Sequence, residues 1–187
     1  MLSITPKIHH EVSAYIDTVS DYGKPRVFNK GDLICRHGDA VDHMFFMVSG
    51  LVKCFRVHDG KEVIYRLMTD NSMVMGYSGF ITGESSTEDI ECLQECSGFW
   101  IRVADVEKLR RDEPGVDIVF RYLAEQHYLT MERRLLMLHH KSAEQRYRYF
   151  LECMEEKVVN ETPMHCIASY LGITPESFSR MKKKLII

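Results

Sequence analysis

The segment PMHCIASYLGITPESFSRMKKKLII, residues 163–187, decides the architecture of the C-terminal part of the chain. Its first half carries three apolar residues at helical spacing: Ile167, Ala168 and Leu171. Gly172 predicts the end of that helix, because glycine readily adopts the left-handed backbone that follows helix C-termini. Thr174 then predicts an N-cap, and Pro175 the first position of a second helix, where its missing N–H loses no hydrogen bond. A helix, a short turn containing glycine and a second helix form the helix-turn-helix motif.

The second helix is predicted to have one buried and one exposed face. Ile173 fills the turn, and the buried face consists of Phe178, Met181 and Leu185. The residues predicted to contact DNA are Thr174, Glu176, Ser177, Ser179, Arg180, Lys182, Lys183 and Lys184. Arginine can donate two hydrogen bonds to guanine in the major groove, glutamate can accept one from cytosine, and lysines and hydroxyls suit phosphates. A lysine run alone would indicate only a solvated face, so the prediction depends on the capped, arginine-bearing helix that contains it.

A long helix is predicted immediately before this motif. Residues 116–140, VDIVFRYLAEQHYLTMERRLLMLHH, contain neither glycine nor proline. One predicted stripe along the helix comprises Phe120, Leu123, His127, Met131, Leu135 and Leu138. Further apolar residues lie beside it: Val119, Tyr122, Leu129 and Leu136. Two apolar faces favour a helix that packs once against its own domain and once against the same helix of a second copy. A single-sided core helix is the alternative.

Two shorter helices are predicted on either side of the long one. Residues 103–111 form the first, which ends before Pro114, because a residue preceding proline disfavours helical backbone. Ser142 opens the other, over residues 142–157, and Gln145 completes a capping box with it. The segment VVNET, residues 158–162, is the predicted break before the helix-turn-helix.

The region from Tyr22 to Ile101 has a different residue pattern from that of the helical segments. Short β-branched and aromatic runs alternate with turn residues, which predicts an all-β barrel, roll or sandwich. Asp59-Gly60 lies between two such runs and predicts a hairpin with a type I′ turn, since both central residues of that turn need positive φ. Upstream, the apolar spacing of residues 7–20 predicts a short leading helix.

Composition narrows the class of protein further. The 187 residues have a net charge of −3, which argues against a protein that coats nucleic acid with its whole surface. None of the six cysteines forms a CxxC pair, so we expect buried, reduced thiols in a cytoplasmic protein: Cys35, Cys54, Cys92, Cys96, Cys153 and Cys166. The N-terminus does not read as a signal peptide, and no apolar stretch approaches the ~20 residues of a membrane span, so no membrane partner is expected.

These motifs together resemble the CRP/FNR family of transcription regulators, from about Tyr22 to Leu185. In the β region the resemblance lies in Lys30-Gly31-Asp32, Gly38-Asp39 and FFMVSGLVK (45–53). At the C-terminus, IASYLGITPESFSRMKKKL (167–185) is similar to the family's recognition motif. The resemblance implies that Glu176, Ser179 and Arg180 read base pairs in each half of a symmetric DNA site.

The resemblance also implies an α+β fold in three parts. A β-roll (a double-stranded β-helix of the cyclic-nucleotide-binding type) with flanking short helices is expected over residues 1–113. A dimerisation helix follows over residues 114–140, and a helix-turn-helix DNA-binding domain over residues 141–187. Because Ile187 comes soon after the recognition helix, a full β-hairpin wing is expected to be missing. The implied partners are double-stranded DNA, a second copy of the chain and RNA polymerase.

The nucleotide-binding cassette departs from the family pattern. Members that bind cyclic nucleotides carry a Gly-Glu pair and, about ten residues on, an Arg that neutralises the phosphate. Here Tyr77 follows Gly76 in place of the glutamate, and Thr87 stands where the arginine falls. Glu88 and Asp89 come next, so a phosphate would meet carboxylates and lack a bidentate cation. We therefore predict that cyclic AMP does not bind at micromolar concentration.

No cofactor is predicted, and the effector is a small molecule of unknown identity. By the resemblance, its pocket is expected between the roll and the long helix, around six residues: Gly76, Tyr77, Ser78, Ser86, Thr87 and His127. A histidine at position 127 could also titrate near neutral pH and affect packing of the dimer.

Two other classes of function are weaker alternatives. A ligand-responsive signalling module could act through protein partners, in which case Arg180→Ala would leave function unchanged. A cupin-like metal enzyme could use His37 and His43, but position 39 is Asp39, where a His-x-His pair would need histidine. We find no nucleophile–base pair, phosphate-binding glycine loop or HExxH motif, so no enzyme and no metal site is predicted.

Overall fold

The computed structural model describes residues 21–185, apart from the side chains of Pro114 and Leu185. The leading helix predicted over residues 7–20 lies outside the described residues. Within the described part there are eight strands, and all but one of the helical segments named below follow the last strand. The strands are β1 (Lys24–Phe28), β2 (Leu33–Cys35), β3 (His43–Ser49), β4 (Leu51–His58), β5 (Lys61–Thr69), β6 (Ser72–Val74), β7 (Asp89–Cys92) and β8 (Cys96–Arg102).

The helices follow or interrupt these strands. They are α1 (Tyr77–Thr82), α2 (Val103–Asp112), a 3₁₀ turn (Pro114–Val116), α3 (Asp117–His139), α4 (Ala143–Cys153), α5 (Glu156–Glu161), α6 (Met164–Tyr170) and α7 (Pro175–Leu185). The predicted fold class, a β-roll followed by a long helix and a helix-turn-helix, is confirmed. Across the described residues, no helix has the length and apolar character needed to span a membrane.

The strands pair into two antiparallel sheets of four, in the orders β1-β8-β3-β6 and β2-β7-β4-β5. The turn between β4 and β5 has positive φ at both Asp59 (50°) and Gly60 (71°), which confirms the predicted type I′ geometry. Farther along this hairpin the register shifts: Cys54 faces Arg66, whereas Phe55 faces Ile64. The strand therefore bulges at Tyr65. A bulge turns neighbouring side chains in directions that regular alternation forbids.

Three apolar clusters hold the molecule together. The inside of the roll is filled by Phe28, Ile34, Phe45, Met47, Val52, Cys54, Val74, Ile90, Cys92 and Cys96. The second cluster joins the roll to α2 and the start of α3, and includes Met44, Phe46, Met75, Ile101, Val106, Leu109 and Val116. The third is shared between the roll and the C-terminal helices, and includes Leu51, Phe55, Ile64, Leu67, Met137, Phe150, Ile167, Leu171 and Phe178. The roll and the helix-turn-helix are thus packed against each other.

The C-terminal helices differ from the prediction at one break. Ser142 and Gln145 form the predicted capping box, but the helix ends at Cys153 rather than continuing to residue 157. Met154 and Glu155 adopt extended backbone, with ψ of 151° and 146°. The predicted break at residues 158–162 is wrong, because α5 occupies most of it and Val158 is buried in the shared cluster. Burial of this one side chain, worth ~1.5–3 kcal/mol, favours the earlier break.

Candidate DNA-binding face and effector site

The helix-turn-helix is built from the interactions that its sequence predicts. Gly172 has φ of 68°, the left-handed value, and ends α6. Ile173 is half-buried against the shared cluster. The hydroxyl of Thr174 accepts a hydrogen bond from the Ser177 N–H at 3.2 Å, so that Thr174 caps α7 as expected. Phe178 is only 1% exposed. Its burial fixes which face of α7 points away from the molecule.

The residues predicted to contact DNA lie on and beside that outward face. Thr174, Glu176, Arg180, Lys183 and Lys184 are exposed, whereas Ser177, Ser179 and Lys182 are half-buried. The pKa of Glu176 is lowered by a hydrogen bond from its own backbone N–H and by the Thr174 hydroxyl. Glu176 is therefore an ionised acceptor. A cation and an anion stand one helical turn apart on an accessible helix, an arrangement that can read base edges.

The motif is attached to the free edge of the roll. β5 lies at the edge of its sheet, and the Ile64 N–H donates to the Ser169 hydroxyl at 3.0 Å. That hydroxyl donates in turn to the Glu62 carbonyl at 2.9 Å. One serine of α6 thus satisfies backbone groups that an edge strand would otherwise expose. A salt bridge of 2.6 Å between Lys157 and Asp70 supports the same contact.

A buried arginine joins α3 to the end of α6. Arg134 of α3 donates a hydrogen bond to the Tyr170 carbonyl. Its guanidinium also lies 4.5 Å from the centre of the Tyr170 ring. Arg146 of α4 donates to the neighbouring Leu171 carbonyl at 3.1 Å. Guanidinium groups at a helix C-terminus satisfy free carbonyls and complement the helix dipole.

The cassette residues form a compact turn between α1 and β7. Gly76 has no room for a side chain, because a Cβ there would lie 2.7 Å from the Ser86 hydroxyl. The Ser86 hydroxyl donates to the Glu88 carbonyl at 2.8 Å. Ser78 and Thr87 share a hydrogen bond of 3.1 Å. The Thr87 hydroxyl also accepts from Arg56 at 2.6 Å.

A cation that the sequence did not indicate lies inside this region. Arg66 of β5 is 4% exposed, as is Glu88. Arg66 Nη2 lies 3.2 Å from each Glu88 carboxylate oxygen. Thr87 stands at the position of the family's arginine. Arg66 supplies a guanidinium from β5, and Glu88 neutralises it. Asp89 points elsewhere, since it accepts from the His37 N–H at 3.0 Å.

His127 connects this pair to α3. Arg66 Nη1 lies 2.8 Å from His127 Nδ1, and the Tyr77 ring packs 4.5 Å from the imidazole. A guanidinium only donates hydrogen bonds, so Nδ1 is the acceptor and carries no proton. Burial, followed by the charge of Arg66, lowers the pKa of His127 below 6.5.

The stripe predicted for dimerisation is divided between two surfaces. Phe120 and Leu123 pack against the second cluster, and His127 faces Arg66, so these three contact their own roll. Leu135 and Leu138 remain exposed, at 59% and 36%. The early positions of the predicted stripe thus face the roll, whereas its later positions do not all do so. Tyr128, Leu135 and Leu138 are exposed, and Ala124 and Met131 between them are half-buried.

A cavity of about 400 Å³ lies between β5, β6, α3 and the junction of α4 with α5. Its lining includes Arg66, Tyr77, Tyr122, Gln126, His127 and Arg133. Of the predicted effector residues, Tyr77 and His127 reach it. Gly76, Ser78, Ser86 and Thr87 are not part of its lining, and they surround the neighbouring Glu88 turn.

The thiols and histidines show no metal-binding arrangement in residues 21–185, where no group of three or more potential ligands comes together. The His43 Nδ1 lies 2.7 Å from the Asp42 carboxylate, and the His43 ring stacks on the Trp100 ring with centroids 4.9 Å apart. All six cysteines are free thiols. Burial raises the pKa of Cys54 to about 12 and that of Cys166 to about 11, so these thiols are unreactive packing groups.

Comparisons with known proteins agree with this architecture. Residues 25–113 match the family model of the cyclic nucleotide-binding domain. FixK2 from Bradyrhizobium japonicum is 20% identical, with a TM-score of 0.75 over 87% of this chain and 84% of that one. The c-di-GMP responsive global regulator CLP from Xanthomonas campestris is 16% identical, with a TM-score of 0.77 over 92% and 91%. A protein described as a transcriptional regulator of the CRP/FNR family from Eubacterium rectale is 18% identical, with a TM-score of 0.68 over 92% and 82%.

A search of curated proteins found no match to the sequence. The structural likenesses, all at 20% identity or less, concern the fold, whereas the family model concerns the sequence of the roll. Residues 25–113 are therefore similar to the cyclic nucleotide-binding domain, and the chain has a fold similar to that of proteins described as CRP/FNR transcription regulators.

Proposed function

We propose that this protein is a homodimeric, sequence-specific DNA-binding transcription regulator. One observation carries the proposal: α7 presents Glu176 and Arg180 to solvent while Phe178, on its opposite face, is buried in the shared cluster. A recognition helix needs this combination of a fixed orientation and accessible base-reading groups. Lys183 and Lys184 extend the face toward the phosphates.

The second copy of the chain is proposed to bind along α3. The proposed seam follows steps of four and three residues, the spacing of a coiled coil: Ala124, Tyr128, Met131, Leu135 and Leu138. Tyr128 and Leu135 are 64% and 59% exposed, and a partner helix would cover them. Two recognition helices would then enter successive major grooves about 34 Å apart on a symmetric site.

Selection of DNA from a random pool with the full-length protein tests the proposal directly. We expect enrichment of a two-fold symmetric site with half-sites one helical turn apart. Arg180→Ala should lose about 1–3 kcal/mol of specific binding and relax base preference at one position of each half-site. Arg102→Ala is the matched control, because Arg102 is an exposed arginine of the roll that pairs only with Asp105 among the described residues.

Two results would count against this function. If the full-length protein enriches no sequence, either alone or with the small molecules of a cell extract, α7 does not read DNA bases. If Arg180→Ala and Arg102→Ala retain the same base preference, the residues assigned to readout are wrong. The first result favours the ligand-responsive signalling module that acts through protein partners, whereas the second keeps DNA binding and moves base readout to other residues.

Dimerisation can be tested apart from DNA. Leu135→Glu places a carboxylate on the proposed seam, and Leu136→Glu places one on the neighbouring exposed position of the same helix. We expect sedimentation equilibrium to give a dimer for the parent protein and for Leu136→Glu, and a monomer for Leu135→Glu. Equal dissociation of the two variants would place the interface elsewhere.

The proposed function also includes a small-molecule effector, a cytoplasmic location and contact with RNA polymerase. An effector other than cyclic AMP is proposed to shift the protein between DNA-binding-competent and incompetent states, in the cytoplasm and in contact with RNA polymerase. The fold likeness to proteins described as regulators supports a non-enzymatic role. Calorimetric titration should detect no micromolar binding of cyclic AMP.

A further inference from the structure

Glu88 is a fully buried carboxylate with an unusually complete set of donors. Arg66 approaches both of its oxygens at 3.2 Å. The Tyr65 hydroxyl donates to Oε2, and the Tyr77 backbone N–H donates to Oε1 at 3.3 Å. A buried charge costs several kcal/mol unless such partners replace its water. Arg66, the Tyr65 hydroxyl and the Tyr77 N–H together form what we call the Glu88 site.

The three donors of the Glu88 site come from two parts of the fold. The bulge in β5 aims both Tyr65 and Arg66 at the carboxylate, and the first residue of α1 provides the N–H. Glu88 itself is held by Ser86, whose hydroxyl bonds to the carbonyl and N–H of Glu88 at 2.8 and 3.2 Å. The donors are thus positioned by β5 and α1, whereas the carboxylate is positioned by Ser86.

The Glu88 site also contacts the long helix. The second terminal nitrogen of Arg66 donates to His127 of α3 at 2.8 Å, and Tyr77 packs on the same imidazole. The orientation of the guanidinium therefore depends on the carboxylate on one side and on α3 on the other. A change in the anion would be transmitted to α3 through this one side chain.

We infer that the Glu88 site is an anion-binding site that the chain fills with its own carboxylate, and that an external small carboxylate will occupy it once the Glu88 side chain is removed. Its ligand class is a carboxylate of formate or acetate size, because such an anion spans the distance between Arg66 Nη2 and the Tyr77 N–H in place of the glutamate carboxylate. In the parent protein, Glu88 is covalently tethered and outcompetes free anions.

The experiment compares thermal unfolding of the full-length parent, Glu88→Ala and Glu144→Ala in sodium formate, sodium acetate and sodium chloride at equal ionic strength. Glu144 pairs with Arg148 on the surface and serves as the matched control. Glu88→Ala should lower Tm by roughly 6–20 °C, given a buried pair and a chain of this length. Formate and acetate should recover part of this loss with saturable concentration dependence, and chloride should not.

Two further variants test whether formate acts at the Glu88 site itself. Arg66→Met in the Glu88→Ala background should abolish the recovery, and Glu88→Asp should lose less stability and gain less from formate. If Glu88→Ala is unfolded in chloride, formate should restore its circular dichroism. Equal responses of Glu88→Ala, Glu144→Ala and the parent to formate, or a Glu88→Ala chain that stays unfolded in it, would overturn the inference. No readout involves DNA, so failure here leaves the proposed function standing.

Discussion

Two buried arginines fix α3 to the rest of the chain, and they are neutralised differently. Arg66 reaches the first half of α3 through His127 and is paired with the Glu88 carboxylate. Arg134 holds the second half, and its hydrogen-bond partner is the Tyr170 carbonyl at the end of α6. Within the described residues Arg134 has no carboxylate partner. Burial lowers its pKa, but an arginine stays charged in proteins.

The difference separates a contact that can be exchanged from one that is fixed. A carboxylate is a discrete anion, which another anion can replace or which a mutation can remove. Carbonyls at a helix end belong to the backbone, and their partial charges cannot leave while the helix exists. The contact between the roll and α3 can therefore change when its anion is replaced or removed. The contact between α3 and the helix-turn-helix stays the same as long as α6 is folded.

The largest effect should come from removing the cation of the roll. Arg66→Met leaves Glu88 buried without a counter-charge, and breaking such a pair from one side costs about 3–5 kcal/mol. Urea unfolding of the full-length protein measures the loss. Adding Glu88→Leu to this variant should restore most of the stability, because replacing both charges by apolar groups is often neutral. A double variant as unstable as the single one would mean that the site stabilises by shape rather than by charge.

A smaller loss is expected at the other arginine. Arg134→Met removes a charged donor from the Tyr170 carbonyl but leaves no opposite charge unpaired. We expect a loss of about 1.5–3 kcal/mol, the range for hydrogen bonds to charged groups. The loss should be the same in formate and in chloride. Formate-dependent stability in Arg134→Met would remove the distinction between the two connections.

The two connections also differ in how far the sequence predicts them. The helix-turn-helix follows from local signals, since Gly172, Thr174, Pro175 and Phe178 each dictate the backbone or burial of their own position. Helix caps and amphipathic faces are local properties, so the α7 face could be assigned before any coordinates. Its attachment to β5 through Ser169 could not, because a serine on a helix gives no indication of a distant strand edge.

The interior of the roll shows the limits of the same reasoning. The cassette positions Tyr77 and Thr87 differ from the family pattern in the sequence itself, which lacks the usual arginine there. The replacement cation, Arg66, stands on a different strand, and the bulge that aims it inward shifts the register by one residue. A period-two pattern cannot locate such a bulge, and a one-residue shift exchanges the two faces of a strand. The stripe on α3 was misjudged near Phe120 because helical spacing does not tell which apolar face the roll will cover.

The smallest effect should be a pH dependence of stability at the contact between the roll and α3. His127 faces Arg66, Glu88 and the Tyr77 ring, and its Nδ1 accepts from Arg66. Its pKa is lowered from 6.5, first by burial and then by the guanidinium. The folded state thus resists protonation more than the unfolded state does. The stability linked to His127 is complete above about pH 6.5 and is lost as pH falls through the folded-state pKa.

His127→Gln isolates this contribution, because a glutamine oxygen can still accept from Arg66 but does not titrate. We expect the parent to lose no more than about 1 kcal/mol relative to His127→Gln as the pH is lowered from 6.5, since His127 is only half-buried. Urea unfolding of both proteins across this range gives the difference. Parallel pH profiles would mean that protonated His127 turns from Arg66 without cost, and that the connection between the roll and α3 depends on the Glu88 anion alone.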